Sequence, residues 1–216
     1  AFFKKIGIDP SKKLIVYAPM GSAFSNSDWD MIDMLYRLRD TGKLDNADVL
    51  VRFQPNDFIE KEELQKRPLL HYDYPGIRFS AKRGVDWDMS FDDLEHLKNT
   101  LYHMDLLICY ASSMSVDAAF FNKPIINIGF EVRAQKYLSE SPTQFYHMAH
   151  YKNALESGGI KFVRGKDELT EWTRRFLANP QIDSAGRKRL VAEQCVFTDG
   201  KSGERIAHII LELIKK

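Results

Sequence analysis

The chain alternates between short apolar runs of strand length and longer stretches with helical periodicity. Each apolar run is followed within three residues by Gly, Pro or Ser, a pattern typical of β-strands that end in turns. The runs that predict strands are 13–18, 49–53, 77–79, 105–109, 124–128 and 160–163. The run 105–109 is almost continuously apolar, which indicates a strand buried on both faces.

Helical periodicity fills most of the segments between these runs. Apolar side chains recur every three or four residues from Trp29 to Leu38 and again in 94–101, where Ser90 and Asp93 form a capping box. Further helices are predicted at 116–121, 166–178 and 202–216. Because strands that alternate with helices imply a parallel sheet with crossover helices, we expect a Rossmann-like α/β fold with helices on both faces.

Composition narrows the class of protein. The 216 residues suffice for one domain with its own core, and we expect 1–216 to be a single domain. Lys and Arg number 31 against 30 Asp and Glu, so there is no overall positive field that would hold nucleic acid or an anionic membrane. No apolar run approaches the roughly 20 residues of a transmembrane helix. Cys109 and Cys195 lack metal-ligand spacing, which fits a reducing, cytoplasmic location and predicts no metal site.

Two loops that precede predicted helices carry small and hydroxylated residues, and ligands of parallel α/β sheets bind beyond the carboxyl ends of the strands. Gly21 and Ser22 follow the first strand, but taken alone they fit an ordinary strand-to-helix loop better than a phosphate loop. The second loop contains Ser112 and Ser113 and follows the run 105–109. Its hydroxyls are suited to a diphosphate, and helix N-capping explains them equally well.

Ser115 and Asp117 extend this second candidate loop into the helix behind it. A third candidate loop contains Asp199, Gly200 and Ser202 and precedes the last predicted helix. Its glycine and hydroxyl again suit a phosphate group. The alternative is a helix cap surrounded by solvated charges.

Charged residues at predicted strand ends supply further candidates. Arg52 is the best cation for stabilising a leaving phosphate, and pairing with a surface carboxylate is its alternative role. Glu131 follows the run 124–128, where its position suits a ribose or donor ligand and where a surface charge is the equal alternative. His147 and His150 are weaker candidates because a lone histidine is more often structural.

Taken in order, these segments resemble the CDP-glycerol glycerophosphotransferase family, and within it the nucleotide-binding C-terminal half of a GT-B fold. The series that carries the resemblance is KLIVYAP at 13–19, VRFQP at 51–55, DLLI at 105–108, the paired serines 112–113 with Asp117, NKPII at 122–126 and DGKSGER at 199–205. The resemblance implies that the base and diphosphate of a donor lie among the loops after these strands. It implies contacts from Ser112, Ser113 and the segment 199–202.

Two positions depart from the family pattern. Gln54 stands where family members usually have His before the proline, and Tyr110 stands where they have an acidic residue. A neutral amide cannot supply the cationic donor that a histidine offers to a phosphate. The resemblance therefore supports a nucleotide-diphosphate donor, CDP- or UDP-linked, better than it supports glycerol phosphate as the transferred group.

The function implied is transfer from CDP-glycerol or a nucleotide sugar to a glycan or polyol-phosphate acceptor, in the synthesis of a cell-surface polysaccharide or teichoic-acid-like polymer. No further cofactor is expected. One alternative is a sugar-nucleotide 2-epimerase-like enzyme, and another is a non-catalytic domain of the same fold. The chain begins at Ala1 without an initiator Met, so we expect a missing N-terminal domain that supplies the general base and any contact with the inner membrane face.

Overall fold

A computed structural model describes residues 1–82, 84–133 and 141–215. The strands are β1 (Lys13–Ala18), β2 (Ala47–Arg52), β3 (His71–Asp73), β4 (Ile77–Arg78), β5 (Trp87–Asp88), β6 (Leu106–Cys109), β7 (Ile125–Ile128) and β8 (Lys161–Val163). The helices are α1 (Phe2–Ile6), α2 (Asp28–Asp40), α3 (Lys61–Gln65), α4 (Phe91–His103), α5 (Met114–Phe120), α6 (Ala149–Glu156), α7 (Lys166–Ala178), α8 (Ser184–Cys195) and α9 (Ser202–Ile214). A 3₁₀ helix, Pro142–His147, precedes α6.

Six strands form one parallel sheet in the order β3-β2-β1-β6-β7-β8. Ile15 of β1 pairs with Val49 of β2 on one side and with Leu106 of β6 on the other. From β1 the strands β2 and β3 extend the sheet on one side, and β6, β7 and β8 extend it on the other side. This is the Rossmann-like α/β architecture that the strand and helix pattern predicts.

Alternate residues of the central strands face two separate apolar layers. Ile15 and Tyr17 of β1 pack with side chains of α2 and α7 on one face. Leu14 and Val16 pack on the other face with side chains of α1, α4, α5, α6 and α8. Because both faces are covered, β6 and most of β1 carry apolar residues at consecutive positions rather than at every second one.

The sheet corrects one predicted strand and adds one that the sequence did not predict. The predicted strand 77–79 lies outside the main sheet, where Ile77 and Arg78 pair antiparallel with β5. Ile77 and Phe79 are exposed, so their apolar character does not mark a core strand. The edge of the sheet is instead β3, whose short polar sequence His71-Tyr72-Asp73 gave no strand signal.

The last helix has the predicted apolar periodicity but buries none of its residues. Its exposed apolar side chains are Ile206, Ile209, Ile210, Leu211, Leu213 and Ile214. None of the helices among the described residues is both long enough and apolar enough to cross a membrane.

Candidate functional site

The candidate site lies beyond the carboxyl ends of β1 and β6. β1 has β2 on one side and β6 on the other, so the strand order reverses at this point. The loops after β1 and β6 therefore lead to helices on opposite faces of the sheet and leave a crevice between them. Ligands of open α/β sheets bind at such a switch point.

A buried carboxylate shapes the loop that follows β1. Asp28 accepts hydrogen bonds from the backbone N–H of Gly21 (2.7 Å) and of Met20 (3.3 Å), and from the Tyr17 hydroxyl (3.4 Å). Burial outweighs these bonds and raises the pKa of Asp28 to about 6. Gly21 has φ +86°, which other residues rarely adopt, and a Cβ there would lie 2.8 Å from an Asp57 oxygen, so a larger residue would strain the loop and displace that side chain.

The same loop is tied to the loop after β2. The Ser22 N–H donates to Asp57 Oδ2 (2.7 Å) and its hydroxyl to Oδ1 (3.0 Å). The Gln54 side chain donates to the Met20 carbonyl (2.6 Å). Between the two loops lies a cavity of about 290 Å³, here called the β1–β2 cavity. Its lining residues are Gly21, Ser22, Ser25, Asn26, Asp28, Trp29, Phe53, Asp57, Phe58, Ile59 and Glu60.

The paired serines lie on a second cavity, of about 230 Å³, here called the serine cavity. Ser112 and Ser113 form one wall, and Ser113 is exposed to solvent. Phe145, Met148 and His150, from the segment that joins the 3₁₀ helix to α6, also line this cavity. Gln194, near the end of α8, also contacts this space.

Ser115 also lines the serine cavity but, unlike Ser113, is buried, whereas Asp117 lies outside the cavity. Ser115 is fully buried, and its hydroxyl lies 3.0 Å from the Tyr151 hydroxyl and 3.5 Å from the Cys109 sulfur. Burial raises the pKa of this thiol to about 12. Asp117 is exposed on α5 and does not line the serine cavity. Ser115 therefore anchors the loop from below.

Glu131 lies in the loop after β7 and lines neither cavity. Its carboxylate accepts hydrogen bonds from Ser27, which precedes α2 (3.1 Å), and from Ser141, at the start of the 3₁₀ helix. Phe24 of the β1 loop packs edge-to-face on Phe145 with 5.4 Å between ring centroids. The carboxylate thus links the loops after β1 and β7 across the crevice.

Arg52 does not line either cavity. It is buried, and its Nη1 lies 3.3 Å from Asp73 Oδ2 of β3. His96 of α4 approaches the other Asp73 oxygen to 2.9 Å. Burial lowers the pKa of Arg52. The structure therefore places this cation in a buried ion pair, where the sequence offered a leaving-group role or a surface pair.

The third candidate loop also lies apart from both cavities. Asp199 is exposed and receives two hydrogen bonds from the Arg205 guanidinium, of 2.8 and 2.6 Å, which lower the pKa of the Asp199 carboxyl. Gly200 and Ser202 are exposed beside it. Neither cavity is lined by any of these residues, and Gln194 is the nearest position in sequence that lines the serine cavity.

Several residues of the site were missed by sequence reasoning. Asp28 and Asp57 look like ordinary surface acids in the sequence, and only their burial and their bonds to the β1 loop reveal their role. Gln194 reaches the serine cavity from a distant helix, and no local motif marks it. Among the described residues, no group of three His, Cys, Asp or Glu side chains converges as a metal site.

Comparison with known proteins gives fold-level matches. No family model and no curated protein matches this chain. A structure of the wall teichoic acid polymerase TagF matches with a TM-score of 0.57 and 16% identity, over 99% of this chain and 47% of that one. A complex of S. aureus MnaA with UDP matches with a TM-score of 0.57 and 15% identity, over 100% of this chain and 50% of that one.

A putative UDP-N-acetylglucosamine 2-epimerase from Listeria monocytogenes matches with a TM-score of 0.52 and 10% identity, over 87% of this chain and 41% of that one. This chain therefore spans about half the length of the structures it matches. At such identities the likeness concerns the fold. The fold expected from the resemblance is confirmed: this chain has a Rossmann-like α/β fold, which it shares with about half of each matched structure.

Proposed function

We propose that this chain is the donor-binding half of a GT-B transferase that uses a nucleotide-diphosphate donor, CDP- or UDP-linked. The observation that carries the proposal is the position of Ser112 and Ser113. They follow the central strand β6 at the switch point and line a cavity there. The three neighbours include a teichoic acid polymerase and a UDP complex, which supports a nucleotide donor and synthesis of a surface polysaccharide or teichoic-acid-like polymer.

The serine cavity suits the base and phosphates of such a donor. Phe145 and Met148 offer apolar surface to a ring, while His150 and Gln194 offer groups that hydrogen-bond to its edge. The exposed Ser113 hydroxyl can donate to a phosphate oxygen. Transfer breaks the bond between the transferred group and a nucleoside phosphate or diphosphate. The hydrogen-bond donors that line the cavity stabilise the negative charge that develops on the leaving oxygen.

A second domain completes the proposed enzyme. The chain covers about half of the TagF and MnaA structures, and the apolar side chains of α9 are exposed to solvent. That domain would supply the glycan or polyol-phosphate acceptor site and the general base, so this half alone is expected to bind donor without turnover. No metal or further cofactor is part of the proposal. We propose a cytoplasmic location, with membrane contact made by residues outside this chain.

A sugar-nucleotide 2-epimerase-like activity is the second candidate. It is favoured by the UDP complex of MnaA and by the putative 2-epimerase among the fold neighbours. Both activities require a nucleotide in the crevice, so the nucleotide is tested first. A uridine preference together with conversion of a UDP-N-acetylhexosamine by the complete protein, in the absence of an acceptor, would select the epimerase.

Thermal unfolding with CDP, UDP, GDP, CMP and CDP-glycerol tests the donor site, because a ligand that binds the native state raises its stability. We expect a rise in Tm with cytidine or uridine diphosphates, and a smaller rise for Ser113→Ala. Thr170→Ala, which changes a partly exposed hydroxyl on α7 that lines neither cavity, is the matched control and should keep the full rise. Asp199→Ala tests the loop that lies outside the cavity. No rise with any nucleotide would contradict the proposal and favour a non-catalytic domain.

A further inference from the structure

Gln194 continues the inward-facing side of helix α8. Arg187 and Leu190 of this helix are buried, and Gln194 follows them at the spacing that keeps side chains on one face of a helix. Leu190 packs in the apolar layer beneath the sheet, whereas Gln194, one turn later, lines the serine cavity. A polar side chain therefore occupies the position where the inward face of α8 passes from the core to the cavity.

Hydrogen bonds from two arginines fix α8 to both helices that flank the serine cavity. The buried Arg187 donates from Nε to Asn122 Oδ1 (2.9 Å), just after the end of α5. Arg189 donates from Nε to the Ser157 carbonyl (3.0 Å), at the end of α6. The paired serines precede α5, and α6 carries lining residues of its own. The place of Gln194 is therefore set relative to both of these elements.

The amide of Gln194 has the hydrogen-bonding groups that the edge of a pyrimidine base requires. It presents one acceptor and one N–H donor side by side, and rotation by half a turn exchanges the two. Uracil offers O4 and N3–H on its edge, and cytosine offers its N4 amine and N3. Phe145 and Met148 line the same cavity and supply apolar surface for the face of a ring.

The size of the cavity also fits this part of a donor. Its volume of about 230 Å³ is below the ~300–1,000 Å³ typical of sites for drug-sized ligands. Such a space accommodates one small ring and its ribose, with the phosphates directed toward solvent and the exposed Ser113 hydroxyl.

We propose that Gln194 reads the hydrogen-bonding edge of the nucleobase and so determines the base preference of the donor. This role rests on the proposed function, since it requires a nucleotide in the serine cavity. Phe145 and Met148 contact the ring face, and α8 holds the amide against the ring edge.

Gln194→Glu tests this role, because it keeps the shape of the side chain and replaces the N–H donor by an acceptor. A carboxylate accepts from the cytosine N4 amine, whereas uracil presents a carbonyl oxygen at that position. Calorimetric titration of the whole chain with CDP and UDP measures both affinities. We expect the ratio of CDP affinity to UDP affinity to rise about five-fold or more relative to wild type.

Ala192→Glu is the matched control, because it adds the same charge to α8 at an exposed position that does not line the serine cavity. The two nucleotides carry identical phosphates, so general repulsion weakens both and cancels in the ratio, which this control should leave unchanged. Gln194 is itself exposed, so the unliganded variant should unfold at nearly the wild-type temperature.

Two results would overturn the inference in different ways. If wild type binds nucleotides but the ratio in Gln194→Glu stays within about two-fold of wild type, or moves toward UDP, the donor site stands and Gln194 does not read the base. If wild type binds neither nucleotide at about 10 mM, past the millimolar end of the affinity scale, the proposed function fails and this role fails with it.

Discussion

The Tyr151 hydroxyl donates a hydrogen bond to Asn127 Oδ1 over 2.8 Å and joins helix α6 to the buried strand β7. The same hydroxyl accepts the N–H of Ser112 (3.1 Å) and lies 3.0 Å from the Ser115 hydroxyl. Asn127 in turn donates to the Tyr110 carbonyl (3.2 Å). The position of the serine loop is therefore set by one tyrosine from a helix that lies well beyond it in sequence.

Replacing that tyrosine tests the arrangement. In Tyr151→Phe the Ser112 N–H and Asn127 Oδ1 each lose a buried partner, so the free energy of unfolding should fall by ~1–3 kcal/mol. Urea denaturation measures this. Nucleotide affinity, measured on the folded variant, should fall with it because the loop loses an anchor. Tyr102→Phe, at an exposed ring on α4, should change stability by less than about 0.5 kcal/mol. Equal effects of the two variants would contradict this role.

Asp28 predicts a pH dependence of stability. Its pKa in the folded state is about 6 and its ordinary value is 3.8, because burial disfavours the charged form. Between these pH values the native state holds more protons than the unfolded state, so stability falls as the pH rises through this window. The full loss is about 3 kcal/mol. Urea denaturation of wild type and Asp28→Asn from pH 4 to 7.5 should show the difference between them changing up to about pH 6 and then levelling. A constant difference would refute the assignment.

Gly186 predicts a steric effect where α8 packs against the turn between α6 and β8. A Cβ at Gly186 of α8 would lie 2.0 Å from the Gly158 carbonyl oxygen, so Gly186→Ala forces the backbones apart. We expect it to destabilise the chain by ~1–3 kcal/mol, measured by denaturation. Gly203→Ala in α9 is the matched control, since no atom lies within 4 Å of its Cβ position. There alanine should raise helix stability by ~0.5–1 kcal/mol. A neutral Gly186→Ala would show that α8 can move.

The buried pair of Arg52 and Asp73 predicts a strongly non-additive double variant. Arg52→Met leaves the Asp73 carboxylate without its guanidinium, at an expected cost of ~3–5 kcal/mol. Adding Asp73→Leu should recover part of that loss, because it removes the carboxylate that Arg52 balanced but also takes away the partner of His96. A double-mutant cycle by urea denaturation measures the coupling. Additive losses would argue that Arg52 acts elsewhere, including in the crevice.

The central strands were predictable because a sheet covered on both faces needs continuous apolar runs, as in β1 and β6. β3 was not predictable, since its three residues pair only with β2 and are only partly covered. Some residues of the candidate site were likewise predictable and others were not. Ser112 and Ser113 follow a predicted strand and line a cavity, whereas Asp28, Asn127 and Tyr151 act through contacts that local sequence patterns do not encode.

The pairing of β1 with β6 also determines how the two sides of the sheet separate when the chain unfolds. The Leu14 N–H donates to the Asp105 carboxylate, which lies 91 residues further along the chain. Bringing β1 and β6 together at this contact, here called the seam, therefore costs more conformational entropy than closing a hairpin does. Strands β1 to β3 lie on one side of the seam, and β6 to β8 on the other. The described residues that line the serine cavity all lie between Ala111 and Gln194, on the second side of the seam. A ligand bound there would therefore stabilise β6 to β8 directly, and β1 to β3 only through the pairing of β1 with β6.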